Sequence, residues 1–112
     1  TPDFYKKLMC EFRMWRQLGD DRYILQCTYC ATYHIRLGNI SLIFKPVAYK
    51  LFRKTVSDMF ISENMEEQVP FIVPSFTEGA ALMLAPQQLH DLQRLLEEAD
   101  TEMQTIHLLS LF

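Results

Sequence analysis

Glycine is scarce: three residues in 112, each isolated, which excludes a glycine-rich loop cradling phosphate and the nucleotide-binding fingerprints built on one. No Gly-x-Ser-x-Gly elbow and no His-Glu-x-x-His run occurs either, so catalysis has no visible apparatus and the chain reads as non-enzymatic. No apolar stretch approaches the roughly 20 residues that a membrane-spanning helix needs. The opening "TPDFYKK" is not a charged region followed by an apolar signal core. Three cysteines, Cys10, Cys27 and Cys30, are too few and odd in number for a disulfide framework. A reducing cytoplasm is the expected setting, and a start at Thr rather than Met leaves a trimmed targeting segment open. Basic residues are nearly missing from the second half: residues 59–112 hold Arg94 alone against nine acids, whereas residues 1–58 hold ten Lys or Arg against five acids. At a net charge of −3, this asymmetry favours two halves that attract each other, within the fold or across a dimer, over a nucleic-acid-binding surface.

What is abundant is apolar residues, 49% of the chain, enough for one compact domain over 1–112 with a core of its own. An internal repeat organises it. "GNISLIFKPVAYKLFRKTV" from Gly38 and "GAALMLAPQQLHDLQRLLEEA" from Gly79 share a Gly-led turn, alternating apolar residues, a Pro and an amphipathic run. Leu42, Phe44, Pro46, Tyr49, Phe52 and Val56 recur forty residues on as Leu82, Leu84, Pro86, Leu89, Leu92 and Leu96; the two Gly are forty-one apart, so the turns should differ by one residue. Each unit reads as a hairpin followed by a helix. Ile35 and Leu37, then Ile40, Leu42 and Phe44, alternate with polar residues around a two-residue Gly38-Asn39 turn, although a bulge there would also restore the inward face. "VPFIVPSFTEGAALML" repeats the pattern with a longer turn at Thr77-Glu78-Gly79, and Pro70 and Pro74, which cannot donate to a ladder, make its first strand an edge or an irregular one. Pro46 and Pro86 suit the first helical position, yet neither Lys45 nor Ala85 is a good cap before it. Before these units, Cys10 to Met14 and Tyr23 to Cys27 predict another hairpin around Gly19-Asp20-Asp21.

The expected fold is therefore α+β: antiparallel hairpins and two helices in a repeated hairpin-helix arrangement, ending in a long C-terminal amphipathic helix. Its parts are an N-terminal hairpin within 1–30, a first unit over 33–60 and a second over 69–112, with the acidic "SENMEEQ" of 62–68 as linker. In the first helix Tyr49, Phe52, Val56 and Met59 share a stripe, with Lys50, Arg53 and Lys54 toward solvent. In the second, Leu89, Leu92, Leu96, Ala99, Met103 and Ile106 step by three and four in alternation, the seam of a coiled coil. Leu95, Leu108, Leu109, Leu111 and Phe112 add apolar surface off that seam. One small sheet cannot cover all of it, so the stripe is the expected interaction surface. A second copy or another protein is the expected partner.

The densest chemistry lies in "CTYCATYH", residues 27–34. Cys27 and Cys30 have the spacing of a chelating turn, His34 follows four residues later, and Cys10 on the neighbouring strand could complete a Cys₃His zinc tetrahedron. Against this, Ala31 stands where a metal knuckle often has Gly, and the bland alternative makes Cys10 and Cys27 small core residues and His34 a surface side chain. A thioredoxin-like redox pair fits less well, because a strand-like segment follows where that chemistry needs a helix N-terminus. His90 and His107, seventeen apart, lack the spacing of a helical metal pair. Phe12, Trp15, Tyr23, Tyr29 and Tyr33 beside Arg13, Arg16, Arg22 and Arg36 could form a stacking platform for single-stranded nucleic acid, but aromatics on strands more often pack a sheet.

The run "CTYCATYHIRLGNISLIFKP", followed by a helix and then "LMLAPQQLHDLQRLLEEA", resembles a family of small bacterial proteins known only as a domain of unknown function. The likeness covers residues 23–60 well and the rest loosely, and its family-like positions are Cys27, Cys30, His34, Gly38 and Asn39. It implies a bacterial source and adds no mechanism.

Overall fold

The structure, a computed structural model, describes residues 11–59, 71–74 and 79–112. Cys10, the 62–68 linker, Pro70, Thr77 and Glu78 lie outside them. The fold is α+β as expected. Strands β1 (Phe12–Gly19), β2 (Arg22–Cys27), β3 (Tyr33–Leu37) and β4 (Ile40–Phe44) form an antiparallel meander in chain order, and helix α1 (Pro46–Ser57) follows. A two-stranded sheet of β5 (Phe71–Pro74) and β6 (Ala81–Leu84) leads into helix α2 (Pro86–Ser110).

The repeat is visible in three dimensions. Leu37 opposes Ile40 across the two-residue turn with Gly38 at φ +62°, so the hairpin, not the bulge, is what forms. Tyr33 opposes Phe44, and Phe71 opposes Leu84, in matching registers. Phe71 lies 38 residues after Tyr33 and Leu84 lies 40 after Phe44, so the second turn is longer by two residues, not by the one that the glycine spacing suggested. From Ser41 to Lys50 and from Ala81 to His90, buried and exposed positions follow in the same order residue by residue. Both helices start at their Pro, which fixes φ and gives up an amide that would have no partner there. Lys45 and Ala85 offer no side-chain cap, and in α2 the Gln88 side chain accepts the Ala85 amide at 2.9 Å instead.

One contiguous core joins the units. Ile24, Ile35, Leu37 and Phe44 come from the large sheet, Tyr49, Phe52 and Val56 from α1, Val73 and Leu84 from the small sheet, and Leu89, Leu92, Leu95, Leu96 and Ala99 from α2. Burying each large side chain contributes about 1.5–3 kcal/mol. Strict alternation does not hold in β1, where register breaks surround Trp15 and Leu18 and both pack against the core. Gln93 reaches from α2 to donate to the Val56 and Met59 carbonyls at 3.0 and 2.8 Å, satisfying the exposed end of α1.

Tyr49 is the odd member of this core. Its ring stacks on Tyr33 with centroids 3.8 Å apart, and burial holds its phenol well above the usual tyrosine range. The buried hydroxyl has no hydrogen-bond partner among the described residues, and the repeat places Leu89 at the equivalent site. Tyr49→Phe should therefore raise unfolding stability by about 1 kcal/mol, measured by urea denaturation; a loss of that size would show that the hydroxyl is satisfied.

Candidate functional site

The cysteine turn joins β2 to β3. Pairing of Phe12 with Cys27 and donation from the Thr28 amide to the Glu11 carbonyl at 2.8 Å anchor it to β1. Within the turn the Cys27 amide donates to Thr32 O, the Ala31 amide to Cys27 O, and the Cys30 amide to Cys27 Sγ at 3.4 Å. Ala31 sits at φ +63°, the left-handed conformation that glycine adopts freely and alanine does not. Its carbonyl accepts from Gln26 Nε2 at 3.1 Å, and Gln26 Oε1 accepts in turn from the Trp15 indole at 2.9 Å. The residue that seemed to argue against a knuckle thus occupies the knuckle's conformation.

Side chains extend the turn into a short polar chain. Cys30 Sγ lies 3.1 Å from Thr32 Oγ1, which lies 3.4 Å from His34 Nε2. The Phe12 ring meets the His34 ring edge-on at 5.0 Å, and partial burial lowers the His34 pKa from its ordinary value. Cys27 is buried, at 1% exposure, whereas Cys30 is exposed. Of the four expected zinc donors, Cys27 ends β2, Cys30 lies in the turn and His34 stands on β3, and Cys10 lies outside the described residues. No group of three or more Cys, His, Asp or Glu side chains able to hold a metal ion together is found among the described residues. A strand, β3, follows the pair, not the helix N-terminus that thioredoxin-like chemistry uses.

The apolar stripe of α2 requires correction as an interaction surface. Leu89, Leu92, Leu96 and Ala99 are buried in the chain's own core, because α1, β1, β2 and β6 enclose the first half of the helix. Met103 and Ile106 are half-buried. At about 1.5 Å per residue the 25-residue helix outruns the layers beneath it. Its end carries Leu108, Leu109, Leu111 and Phe112 exposed. A second apolar surface is one that alternation alone did not mark. On the outer face of the large sheet, Met14, Leu25, His34 and Ile43 form a cross-strand row, flanked by exposed Phe12. Ile43 is 63% exposed, and its repeat equivalent Met83 65%, opposite exposed Ile72. The available signal was apolar residues at both parities of these strands, where a half-buried sheet would put polar ones.

The two charge-rich halves meet in the fold. Arg16 pairs with Glu98 at 2.7 Å, Arg22 with Asp91 at 3.3 Å and Arg53 with Asp100 at 3.1 Å, each bridging a basic element to α2. The last pair stands over a cleft of about 420 Å³ between α1 and α2, where His90, Gln93 and Glu97 also line the wall. The aromatic set is divided. Trp15 and Tyr33 pack on the core, Arg13 stacks over Trp15 at 4.3 Å, and Phe12 and Tyr29 are exposed.

Two outcomes follow from the cysteine turn. Ala31→Gly should raise stability by up to about 1 kcal/mol, because it removes the left-handed strain at some cost in chain entropy; a decrease in thermal unfolding temperature would contradict the strained geometry. Burial lowers the His34 pKa, so the unfolded chain binds its proton first. The stability His34 contributes is fully present above its ordinary value of 6.5 and is lost as pH falls from there through the folded value. Part of any loss between pH 7.5 and 5.5 should disappear in His34→Gln.

No protein-family model, curated protein or solved structure matches the chain, so the functional argument rests on the geometry above.

Proposed function

We propose that this chain is a non-enzymatic protein-interaction module that pairs with a second copy of itself, the last three turns of α2 in one protomer resting on the outer sheet face of the other. The observation that carries the reading is the exposed end of α2. Successive helical residues lie about 100° apart, so exposed Leu108 and Leu109 share one side of the last turn, and exposed Leu111 and Phe112 follow directly after it. A contiguous exposed apolar patch of this kind marks a surface that a partner covers. The same chain also presents an uncovered apolar sheet face at Phe12, Met14 and Ile43. Two copies related by a twofold axis would bury both surfaces twice with identical contacts.

Charge supports the same pairing. After Leu96, α2 carries no Lys or Arg, and besides Glu98 and Asp100, which this chain's Arg16 and Arg53 hold, it carries Glu97 and Glu102, while Arg36 stands on the outer sheet face in register with Ser41 and Tyr23. A polyanion is the less well supported partner, because Arg16, Arg22 and Arg53 are already held by carboxylates of this chain.

Light scattering at rising concentration should give a dimer mass, and Leu109→Glu and Ile43→Glu should each return the monomer with little change in unfolding temperature. A monomer at hundreds of micromolar would remove the proposal, and dissociation by Leu109→Glu alone would move the contact to helix against helix. On heparin at low salt the protein should not be retained; retention that falls steeply with salt would favour a nucleic-acid partner instead.

A further inference from the structure

We propose that the cleft between α1 and α2 binds a small organic cation, a primary ammonium group carried on an apolar body. Its volume of about 420 Å³ lies in the range that holds a small ligand. Val56 and Leu96, both buried, line it together with half-buried Met59, so part of the wall is apolar. None of its residues belongs to the surfaces assigned to self-pairing, and the two sites are independent.

The polar groups of the wall select the charge of the occupant. Its one arginine, Arg53, is already paired with Asp100 at 3.1 Å. Both hydrogens of the Gln93 side-chain amide go to the Val56 and Met59 carbonyls, which leaves Gln93 Oε1 as an acceptor. The Ser57 hydroxyl donates to the Lys54 carbonyl at 2.9 Å. Asp100 receives Arg53 and Gln104 on the same oxygen, Oδ2, which leaves Oδ1. Glu97 has its carboxylate in no ion pair and no hydrogen bond among the described residues, and a carboxylate can only accept. Gln93, Glu97 and Asp100 stand at i, i+4 and i+7 of α2, one face of the helix, and all three line the cleft. That face therefore presents unmatched acceptors and one uncompensated negative charge. The last turn of α1, whose Ser57 also lines the cleft, adds the negative end of a helix dipole. An ammonium group, with three donors and a positive charge, answers this set, and the His90 ring beside it can accept a further hydrogen bond. An anion would meet Glu97.

The probe is phenethylamine, titrated by calorimetry into the full chain at low salt, with 2-phenylethanol and 3-phenylpropionate as neutral and anionic counterparts of similar size. The amine should bind saturably at one per chain and shift the magnetic resonances of the Val56 and Leu96 methyl groups, and neither counterpart should. Glu97 is exposed, so Glu97→Gln removes the unmatched charge without disturbing the core. It should weaken the amine about tenfold or more, the loss expected for a hydrogen bond to a charged group. Glu102→Gln makes the same charge change on α2 outside the cleft and should leave the affinity as it was. No saturable binding of the amine, equal binding of the alcohol, an unchanged affinity in Glu97→Gln, or an equal loss in the two variants would each overturn the proposal.

Discussion

Neither hairpin-helix unit can hide its own apolar face, and the fold exists because the two hide each other's. A two-stranded hairpin is marginal alone in water, and β5–β6 is such a hairpin, with Val73 and Leu84 as its contributions to the interior. Those side chains are buried where α1 meets β5 and α2 meets β6, in one interior with Leu89, Leu92 and Leu96. Phe52 and Val56 in the first unit occupy the places that Leu92 and Leu96 occupy in the second. A shared core of this kind ties the stability of each unit to the presence of the other.

From that arrangement the electrostatics follow. Once α2 lies beside β1, β2 and α1, its acids stand opposite Arg16, Arg22 and Arg53, and the −8 and +5 halves of the chain become neighbours. These pairs are partly solvated and each contributes modestly. Their consequence is more for specificity: they set the side of the sheet on which α2 lies and occupy basic groups that would otherwise face a polyanion. The helix is longer than the layers it covers, and so its end leaves the core with Leu108 and Leu109 exposed.

The cysteine turn lies at the other margin of the design, where β2 must reverse into β3. Its backbone hydrogen bonds, the amide directed at sulfur and the Gln26–Trp15 relay make it an ordered structure rather than a loose connection. Order at a cost, with Ala31 left-handed, distinguishes it from the Gly38 turn, where the same conformation is free of strain.

Periodicity by itself determined the strands, both helix starts at Pro46 and Pro86, the forty-residue repeat and the inward faces of α1 and α2, because burial imposes a period of 2 or 3.6 that survives in any context. Alternation could not show the register breaks at Trp15 and Leu18, which depend on what β1 meets across the sheet. It also could not say how far along α2 the core extends. Leu96 and Leu109 are the same residue on the same helix, yet one is enclosed and the other 67% exposed, because layers distant in sequence end between them. The Cys-x-x-Cys spacing was legible, but only the folded turn assigned Ala31 its left-handed angle and gave Cys27 a donated amide. Those features belong to backbone geometry that β1, through Glu11 and Phe12, holds in place.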